Sequence, residues 1–276
     1  MRRLSFHDFD KIYQESLEAV YKYWTPQMQK EIATHCYGWN PDLFDFKTYL
    51  HASSIRFYRA YGSFAEDDNI KSVCDVGGFW GVFLITLKKI GYNVTMTEAL
   101  QYYSGAFSDL FKFIADRGVN IVNYDPFESG AALTTRFDII TVMAVLEHYP
   151  HSPKLFMENI ISMMQSNGKL YIEVPNIAQY TKRIPFMLGK TPLIPVQDIF
   201  KSKVPFIGHH HEYTIAELRA LADLSGLVII AEYFYNYAPG THLSLKMLLS
   251  NPVQFFAYLL LKDSRECISI LCERKD

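Results

Sequence analysis

Residues 73–81 read VCDVGGFWG, and this stretch carries the clearest structural signal in the chain. The apolar run from Ile70 to Val76 predicts a short buried strand. The glycines that follow allow a tight turn and a close approach of the backbone to a ligand. A helix is predicted over 82–90, and Gly91 ends it. A strand, a glycine-rich turn and a helix in this order are typical of the first unit of an α/β sheet.

Strand and helix patterns continue to alternate beyond this unit. Strands are predicted at residues 93–97, 119–122, 137–143, 169–174 and 227–233, and helices at 104–117, 153–165 and 214–225. Because the strands are apolar and the connections short, the pattern predicts a parallel sheet covered by helices on both faces. Residues 7–60 are amphipathic and predict helices with a break at 38–41. We therefore expect an N-terminal helical cap, 1–65, and a main domain, 66–276.

The composition excludes several classes of protein. The chain has 276 residues and a net charge of −2, which gives no basic footprint for nucleic acid. The four cysteines are scattered and no apolar leader follows the N-terminus, so we expect reduced thiols and a cytoplasmic location. The apolar segment 243–261 is interrupted by Lys246 and Pro252. These breaks argue against a transmembrane helix and leave peripheral contact with a membrane surface open.

Acidic residues follow the predicted strands one after another. Asp75, Glu98 and Asp125 stand at the ends of the first three, at the edge where such sheets bind ligands. The spacing is not the G-x-G-x-x-G of a dinucleotide site, and Asp75 would repel a diphosphate. S-adenosylmethionine carries an ammonium and a sulfonium and no phosphate, so a carboxylate beside it is favourable. The sequence therefore favours S-adenosylmethionine over NAD as the cofactor.

The sequence resembles the class I S-adenosylmethionine-dependent methyltransferases, in particular the branch that acts on small molecules and glycans. Residues 75–81, DVGGFWG, resemble their glycine-rich first motif D-x-G-x-G-x-G, with Phe79 at the position of the central glycine. Residues 137–140 with 146–148 resemble their fourth-strand motif, and 208–214, GHHHEYT, resemble a stretch before a late helix. The resemblance implies these cofactor-binding residues: Asp75, Gly77, Gly78, Phe79, Gly81, Glu98, Ala99, Asp125, Pro126 and Met143.

The resemblance also implies the overall fold. It predicts a Rossmann-like, mostly parallel sheet of seven strands with helices on both faces, an antiparallel last strand at 267–274 and N-terminal helices in addition. The segment 176–212 looks like a lid over the binding edge, because it is long and mixes prolines with basic residues. The segment 239–265 looks like a helical insertion in the final hairpin.

Histidines are the candidate catalytic residues. His148 follows the predicted fourth strand, and His209 and His211 belong to a run of three before a predicted helix. In the ubiquinone-biosynthesis O-methyltransferases a similar stretch, E-V-L-E-H, supplies metal ligands. Here Ala144 replaces the first carboxylate, and adjacent histidines point in different directions, so we expect no metal.

The function that we expect is methyl transfer from S-adenosylmethionine to an oxygen or nitrogen of a small-molecule acceptor or of a glycan- or lipid-linked one. Two alternatives remain. One is a catalytically silent protein of the same fold that acts as a binding or scaffold subunit. This alternative stays open because Phe79 replaces the central glycine of the first motif. The other is an NAD-dependent reductase or epimerase, against which the missing phosphate fingerprint argues. The sequence does not indicate the acceptor or the oligomeric state.

Overall fold

A computed structural model describes residues 3–36, 45–128, 133–238 and 240–275 of the protein. Its strands are β1 Ser72–Val76, β2 Asn93–Glu98, β3 Asn120–Asn123, β4 Phe137–Met143, β5 Met164–Pro175, β6 Leu227–Tyr235 and β7 Cys267–Arg274. They form one seven-stranded sheet in the order β3-β2-β1-β4-β5-β7-β6. The pairs among β1 to β5 are parallel, and β7 is antiparallel to both β5 and β6. The predicted sheet with its antiparallel last strand is confirmed.

Helices cover both faces of the sheet. They are α1 Phe6–Tyr21, α2 Pro26–Cys36, α3 Phe46–Ala52, α4 Ser54–Gly62, α5 Val82–Ile90, α6 Ser108–Asp116, α7 Pro153–Ser162, α8 Tyr180–Met187, α9 Val196–Lys201, α10 Ile215–Leu224, α11 Leu245–Ser250 and α12 Pro252–Leu260. Consecutive residues of β4 enter the cores on opposite faces of the sheet. Ile139 joins the core under α5, and Ile140 joins the core under α7 and α10. Side chains alternate across a strand, so a doubly covered sheet needs a continuous apolar run.

The N-terminal helices share a core with the sheet. Phe9 and Tyr13 of α1 are fully buried in the same apolar cluster as Val73 of β1 and Leu84 of α5. The predicted boundary after residue 65 therefore separates two stretches of the sequence, but one hydrophobic core extends across it. The predicted break at 38–41 lies outside the described residues.

The region between α7 and β5 differs from the prediction. The predicted helix 153–165 ends at Ser162, and β5 already begins at Met164. The pairing moves from Phe137 with Met164 to Ile139 with Lys169, so residues 165–168 form a bulge inside β5. A Cβ atom at Gly168 would lie 2.8 Å from the backbone nitrogen of Gln165, which is why a glycine stands there. The connection predicted between the helix 153–165 and the strand 169–174 is therefore a bulge within β5.

The two long segments contain helices of their own. The lid segment, predicted as a long connection, contains α8 and α9, and the predicted helical insertion between β6 and β7 contains α11 and α12. None of the described helices is both long enough and apolar enough to cross a bilayer. The thiols of Cys74, Cys267 and Cys272 are buried and free, as expected.

Candidate functional site

The glycine-rich turn after β1 lies at the carboxyl edge of the sheet, where the order of the strands reverses. Gly77 and Gly81 have φ values of 68° and 63°, a region that side chains disfavour. A Cβ atom at Gly77 would lie 2.7 Å from Cγ2 of Val145, so the loop after β4 closes directly against this turn. Gly81 caps α5 and offers no side chain to its first N–H groups. The turn thus leaves backbone donors free for a ligand.

Phe79, at the position of the family's central glycine, fits without strain. Among the described residues other than glycine, only Ala144 has a positive φ, so the backbone at Phe79 is an ordinary one. The Phe79 ring stacks on Tyr103 with 5.5 Å between centroids and 10° between planes, and it also contacts Trp24 and Phe107. The larger residue therefore joins an aromatic cluster under the cap and leaves the glycines on either side in place.

Glu98 ends β2 with one carboxylate oxygen unsatisfied. The hydroxyl of Tyr103 donates to Oε2 at 2.9 Å, while the buried Oε1 has no hydrogen-bond partner. Burial raises the pKa of Glu98 to about 8. A buried acceptor without a donor is costly, so this oxygen is suited to a ligand hydroxyl.

Asp75 and Asp125 differ from Glu98 because neither has a buried carboxylate oxygen without a hydrogen-bond partner. The hydroxyl of Thr141 donates to Asp75 at 2.6 Å, and burial raises the pKa of Asp75 to about 7. Asp125 accepts from the backbone N–H of Phe127 at 2.9 Å and from the amide of Gln101 at 3.4 Å. The long contact from Gln101 is the one that a ligand amine would replace at least cost.

The other predicted cofactor residues lie along the same edge. Gly78 follows Gly77 in the turn, and a Cβ atom there would lie 2.9 Å from Oδ2 of Asp75. Ala99 follows β2 directly, and Pro126 follows Asp125 with its carbonyl accepting from Asn159 at 2.7 Å. Met143 ends β4 and is 8% exposed. All of these predicted cofactor residues therefore meet at one edge of the sheet.

A cluster of Glu147, His148 and His209 lies beside this edge. Glu147 and His148 form a 3₁₀ turn just after β4, and residues 207–211 fold back onto it. The backbone N–H of His210 donates to the carbonyl of Glu147 at 2.8 Å, which holds the two segments together. The rings of His148 and His209 lie edge to face at 4.9 Å, and His209 Nε2 is 3.9 Å from Glu147 Oε1.

Hydrogen bonds set the tautomers of both imidazoles. Nδ1 of His148 donates to the carbonyl of Ile207 at 2.5 Å, because a carbonyl oxygen can only accept. Nδ1 of His209 donates to Glu212 at 3.0 Å, and Glu212 is also paired with Lys182. When neutral, both rings therefore present an Nε2 lone pair. Burial and the neighbouring His209 lower the pKa of His148 to about 4, so His148 is neutral at pH 7.

Glu147 is the third member of this cluster. Its side chain is fully buried and neither carboxylate oxygen has a hydrogen-bond partner. Burial raises the pKa of Glu147 to about 7, against the lowering effect of His209. One ligand atom from each of Glu147, His148 and His209 lies within 4.8 Å of the others. Such a set can accept a proton or bind a divalent cation.

The structure does not bring the third predicted catalytic histidine to this cluster. His211 is exposed, and its Nε2 lies 3.2 Å from Glu217, in the capping box that begins α10. Ala144 stands where the ubiquinone-biosynthesis O-methyltransferases have the first carboxylate of E-V-L-E-H, and its methyl side chain supplies no metal ligand. Ala144 has a φ of 52°, and this strained residue turns the chain between β4 and the cluster.

A buried ion pair that no sequence pattern predicted lies beneath the site. Arg56 of α4 donates through Nη2 and Nε to both oxygens of Glu173 on β5, at 2.7 and 2.8 Å. The hydroxyl of Tyr235 also donates to Glu173, and Arg56 donates to the hydroxyl of Tyr49. Arg56 is 4% exposed and Glu173 is fully buried. The signal was a charged residue inside the apolar strand LYIEVP, residues 170–175.

Comparisons with known proteins agree with this architecture. Residues 49–232 match a family model described as a methyltransferase domain. Coclaurine N-methyltransferase, solved with N-methylheliamine and S-adenosylhomocysteine, has a similar fold: TM-score 0.51, 13% identity, 98% of this chain and 96% of that chain covered. Magnesium protoporphyrin IX methyltransferase from Synechocystis PCC 6803, bound to S-adenosylhomocysteine, gives a TM-score of 0.54 with 15% identity and 92% and 97% coverage. No curated protein matches the sequence.

The sheet order and the position of the glycine turn define the fold of the class I methyltransferases. The family match covers more than half of the chain, and the chain therefore belongs to the S-adenosylmethionine-dependent methyltransferases. The prediction of a methyltransferase is confirmed, in place of a nicotinamide-dependent reductase or epimerase. The roles of individual site residues stay predictions.

Proposed function

We propose that this protein transfers the methyl group of S-adenosylmethionine to an oxygen or nitrogen of a small-molecule or of a glycan- or lipid-linked acceptor, with His209 as the general base. The observation that carries the proposal is the cluster beside the glycine turn. There a partly exposed imidazole, held by Glu212, presents its Nε2 lone pair next to a buried carboxylate. The relatives named above act on small molecules, which supports this class of acceptor.

The cofactor lies along the carboxyl edge in this proposal. Glu98 Oε1 accepts a ribose hydroxyl, which satisfies the orphan oxygen. Asp125 accepts the adenine amine, and Asp75 faces the positively charged methionine end. Gly77 and Gly81 let the backbone approach the ligand. Each assignment joins a donor or a cation of the ligand to an acceptor of the protein.

The chemical step is an in-line displacement. A lone pair of the acceptor forms a bond to the methyl carbon while the carbon–sulfur bond breaks, and S-adenosylhomocysteine leaves. The acceptor's proton passes to Nε2 of His209, and the Glu212 carboxylate stabilises the imidazolium. Burial raises the pKa of Glu212, but the hydrogen bond from His209 and the charge of Lys182 outweigh it and lower this pKa overall. Alignment of the reactants supplies most of the rate enhancement.

The first test of the proposal is cofactor binding by Glu98→Gln. We expect the substitution to weaken S-adenosylhomocysteine binding by about 10- to 100-fold, because an amide oxygen is a weaker acceptor for the ribose hydroxyl than the carboxylate oxygen that Glu98 presents when it ionises on binding. The apoprotein should be as stable as the wild type or more stable, since a buried carboxyl is replaced by a neutral group of the same shape. Isothermal titration calorimetry and thermal unfolding measure the two effects. Unchanged affinity would place the ribose elsewhere.

Stability of the apoprotein should depend on pH in a defined direction. Asp75 and Glu147 have folded pKa values of about 7 and Glu98 of about 8, whereas such carboxyls titrate near about 4 when unfolded. The folded state therefore binds more protons over this interval, and the free energy of unfolding should fall as the pH rises from 5 to 8. S-adenosylmethionine should reduce the fall, because its positive charges favour the ionised carboxylates.

Urea denaturation at pH 5, 6, 7 and 8 measures this dependence. Glu98→Gln should make it shallower, because one of the three raised pKa values is removed. The matched control is Glu128→Gln, which changes an exposed glutamate. A stability that rises with pH in all three proteins would show that these carboxyls are ionised in the folded state.

A further inference from the structure

The lid segment and the insertion place apolar side chains in solvent on adjacent helices. On α8 and just after it, Phe186, Met187 and Leu188 are 69%, 83% and 71% exposed. On α12, Val253 and Leu260 are 67% and 73% exposed. Large apolar residues that cluster in solvent mark interaction sites in most proteins.

These helices form one continuous surface. The ring of Tyr180 on α8 contacts that of Tyr258 on α12 edge to face, with 6.5 Å between centroids. Arg183 of α8 pairs with Asp263 after α12 at 3.1 Å. α11 packs against α12 and adds Leu245 to the exposed side. We define the α8/α12 surface as the exposed apolar residues of these three helices: Ile184, Phe186, Met187, Leu188, Leu245, Leu249, Val253, Phe256, Leu259, Leu260 and Leu261.

The pattern along α12 is that of an interfacial helix. Its nine residues, PVQFFAYLL, include no charged side chain. Tyr258 is fully buried towards the domain, whereas Val253, Phe256 and Leu260 recur at helical spacing on the exposed side. A helix that shows this many apolar residues to water is stable there only if another apolar phase covers it.

The charge of the lid segment and of the insertion indicates which apolar phase covers α12. Residues 180–204 contain five basic residues and one acid, and residues 243–263 contain two lysines and one acid. Lys182 and Arg183 are paired with Glu212 and Asp263, so the charge that faces solvent comes from the other lysines. Lys190, two residues beyond Leu188, and Lys246, next to Leu245 on α11, are exposed. Lysine is depleted in the cores of protein–protein interfaces, whereas lysine beside Leu, Phe and Met is typical of helices that lie on anionic membranes.

We propose that the α8/α12 surface docks the protein on a bilayer that contains anionic lipid. The apolar side chains enter the headgroup region, and the lysines contact the lipid phosphates. This surface adjoins the site, because Lys182 of α8 is paired with Glu212, which holds His209. If the proposed function also holds, the docked enzyme takes its acceptor from the membrane: an amphiphile whose polar end is methylated.

Flotation of the full-length protein with vesicles tests the docking without any catalysis. The test compares vesicles of phosphatidylcholine alone with vesicles in which phosphatidylglycerol makes up about one third of the lipid. We expect binding to the anionic vesicles, which weakens as salt is raised. Phe186→Gln/Met187→Gln on α8 and Phe256→Gln/Leu260→Gln on α12 should each reduce the partition coefficient at least about tenfold. Lys246→Gln should reduce it about fivefold, on anionic vesicles only.

Leu224→Gln is the matched control, because Leu224 is 85% exposed on α10 and lies outside the α8/α12 surface. It should leave the partition coefficient unchanged. All variants replace exposed residues, and S-adenosylhomocysteine binding checks that each is folded. Absence of vesicle binding overturns the proposal. So does equal binding by the wild type and both double variants, or a dimer in analytical ultracentrifugation that Phe256→Gln/Leu260→Gln converts to a monomer.

Discussion

His209→Gln should lower kcat/KM for methyl transfer by about 100- to 10,000-fold, the range that removal of a general base produces. Glutamine keeps a polar group near Glu212 but has no lone-pair nitrogen that can take the acceptor's proton. Cofactor binding should change little, because the cofactor contacts that we propose are made by Glu98, Asp125 and Asp75. The measurement is transfer of a tritiated methyl group from S-adenosylmethionine into a small-molecule and lipid extract of cells.

The matched control is His211→Gln. His211 lies two residues away, is paired with Glu217 and is exposed, so its replacement should leave the rate within about twofold of the wild type. The pH profile adds a second readout. The wild-type kcat/KM should rise as Glu147 ionises near pH 7, because its carboxylate lies 3.9 Å from Nε2 of His209 and, once charged, helps Glu212 to stabilise the imidazolium. Equal losses from His209→Gln and His211→Gln would contradict the assignment of the base.

The same experiment distinguishes a base from a metal site. Glu147, His148 and His209 can also hold a divalent cation, and our expectation from the sequence was that no metal is bound. A protein that uses His209 as a base keeps its activity after treatment with a chelator. Loss of activity with EDTA, and recovery on addition of Mg²⁺ or Zn²⁺, would make these residues metal ligands instead.

Arg56→Met should lower the free energy of unfolding by about 3–5 kcal/mol, the cost of leaving one partner of a buried ion pair without the other. Glu173 is fully buried, and without Arg56 its carboxylate loses all of its charge-assisted hydrogen bonds to the guanidinium. Arg56→Met/Glu173→Gln should recover much of the loss, because a neutral amide needs no counterion and still accepts from Tyr235. Urea denaturation of both variants measures the difference.

The chain contains a matched control for burial. Arg219 donates to both oxygens of Glu232 at 2.6 and 2.7 Å, the same two-pronged geometry as the buried pair, but the Arg219 side chain is 54% exposed. Arg219→Met should therefore cost less than about 1 kcal/mol. Equal effects of Arg56→Met and Arg219→Met would mean that Glu173 takes up a proton in the variant and does not stay ionised.

The cofactor edge was predictable from local patterns. Asp75 and Glu98 stand at the carboxyl ends of β1 and β2, and Asp125 lies just beyond β3. Parallel strands end at a common edge, so order along the chain is enough to bring these residues together. Gly81 and Gly91 bound α5 as predicted, since turn conformations depend on the glycines themselves. The capping box that begins α10 is also a local pattern, because Thr214 and Glu217 are only three residues apart in the chain.

The parts that were missed depend on contacts between distant residues. His148 and His209 were chosen singly, and only the fold of 207–211 onto the turn after β4 shows that they meet while His211 points elsewhere. Arg56 and Glu173 are far apart in the chain and carry no local motif. Two further facts depend on the side chains packed around a residue: the aromatic partners of Phe79 and the contact between α8 and α12.

The amino-acid sequence was sufficient for the α/β class, the cofactor class and the acidic residues of the cofactor edge, because these follow from periodicity, turn chemistry and strand order. The pairing of His209 with Glu147 and Glu212, the buried Arg56 ion pair and the α8/α12 surface required the packed structure. Burial is the physical reason: it sets the pKa of Glu147, the cost of an unpaired charge and the exposure of an apolar helix, and each depends on neighbours that are remote in sequence.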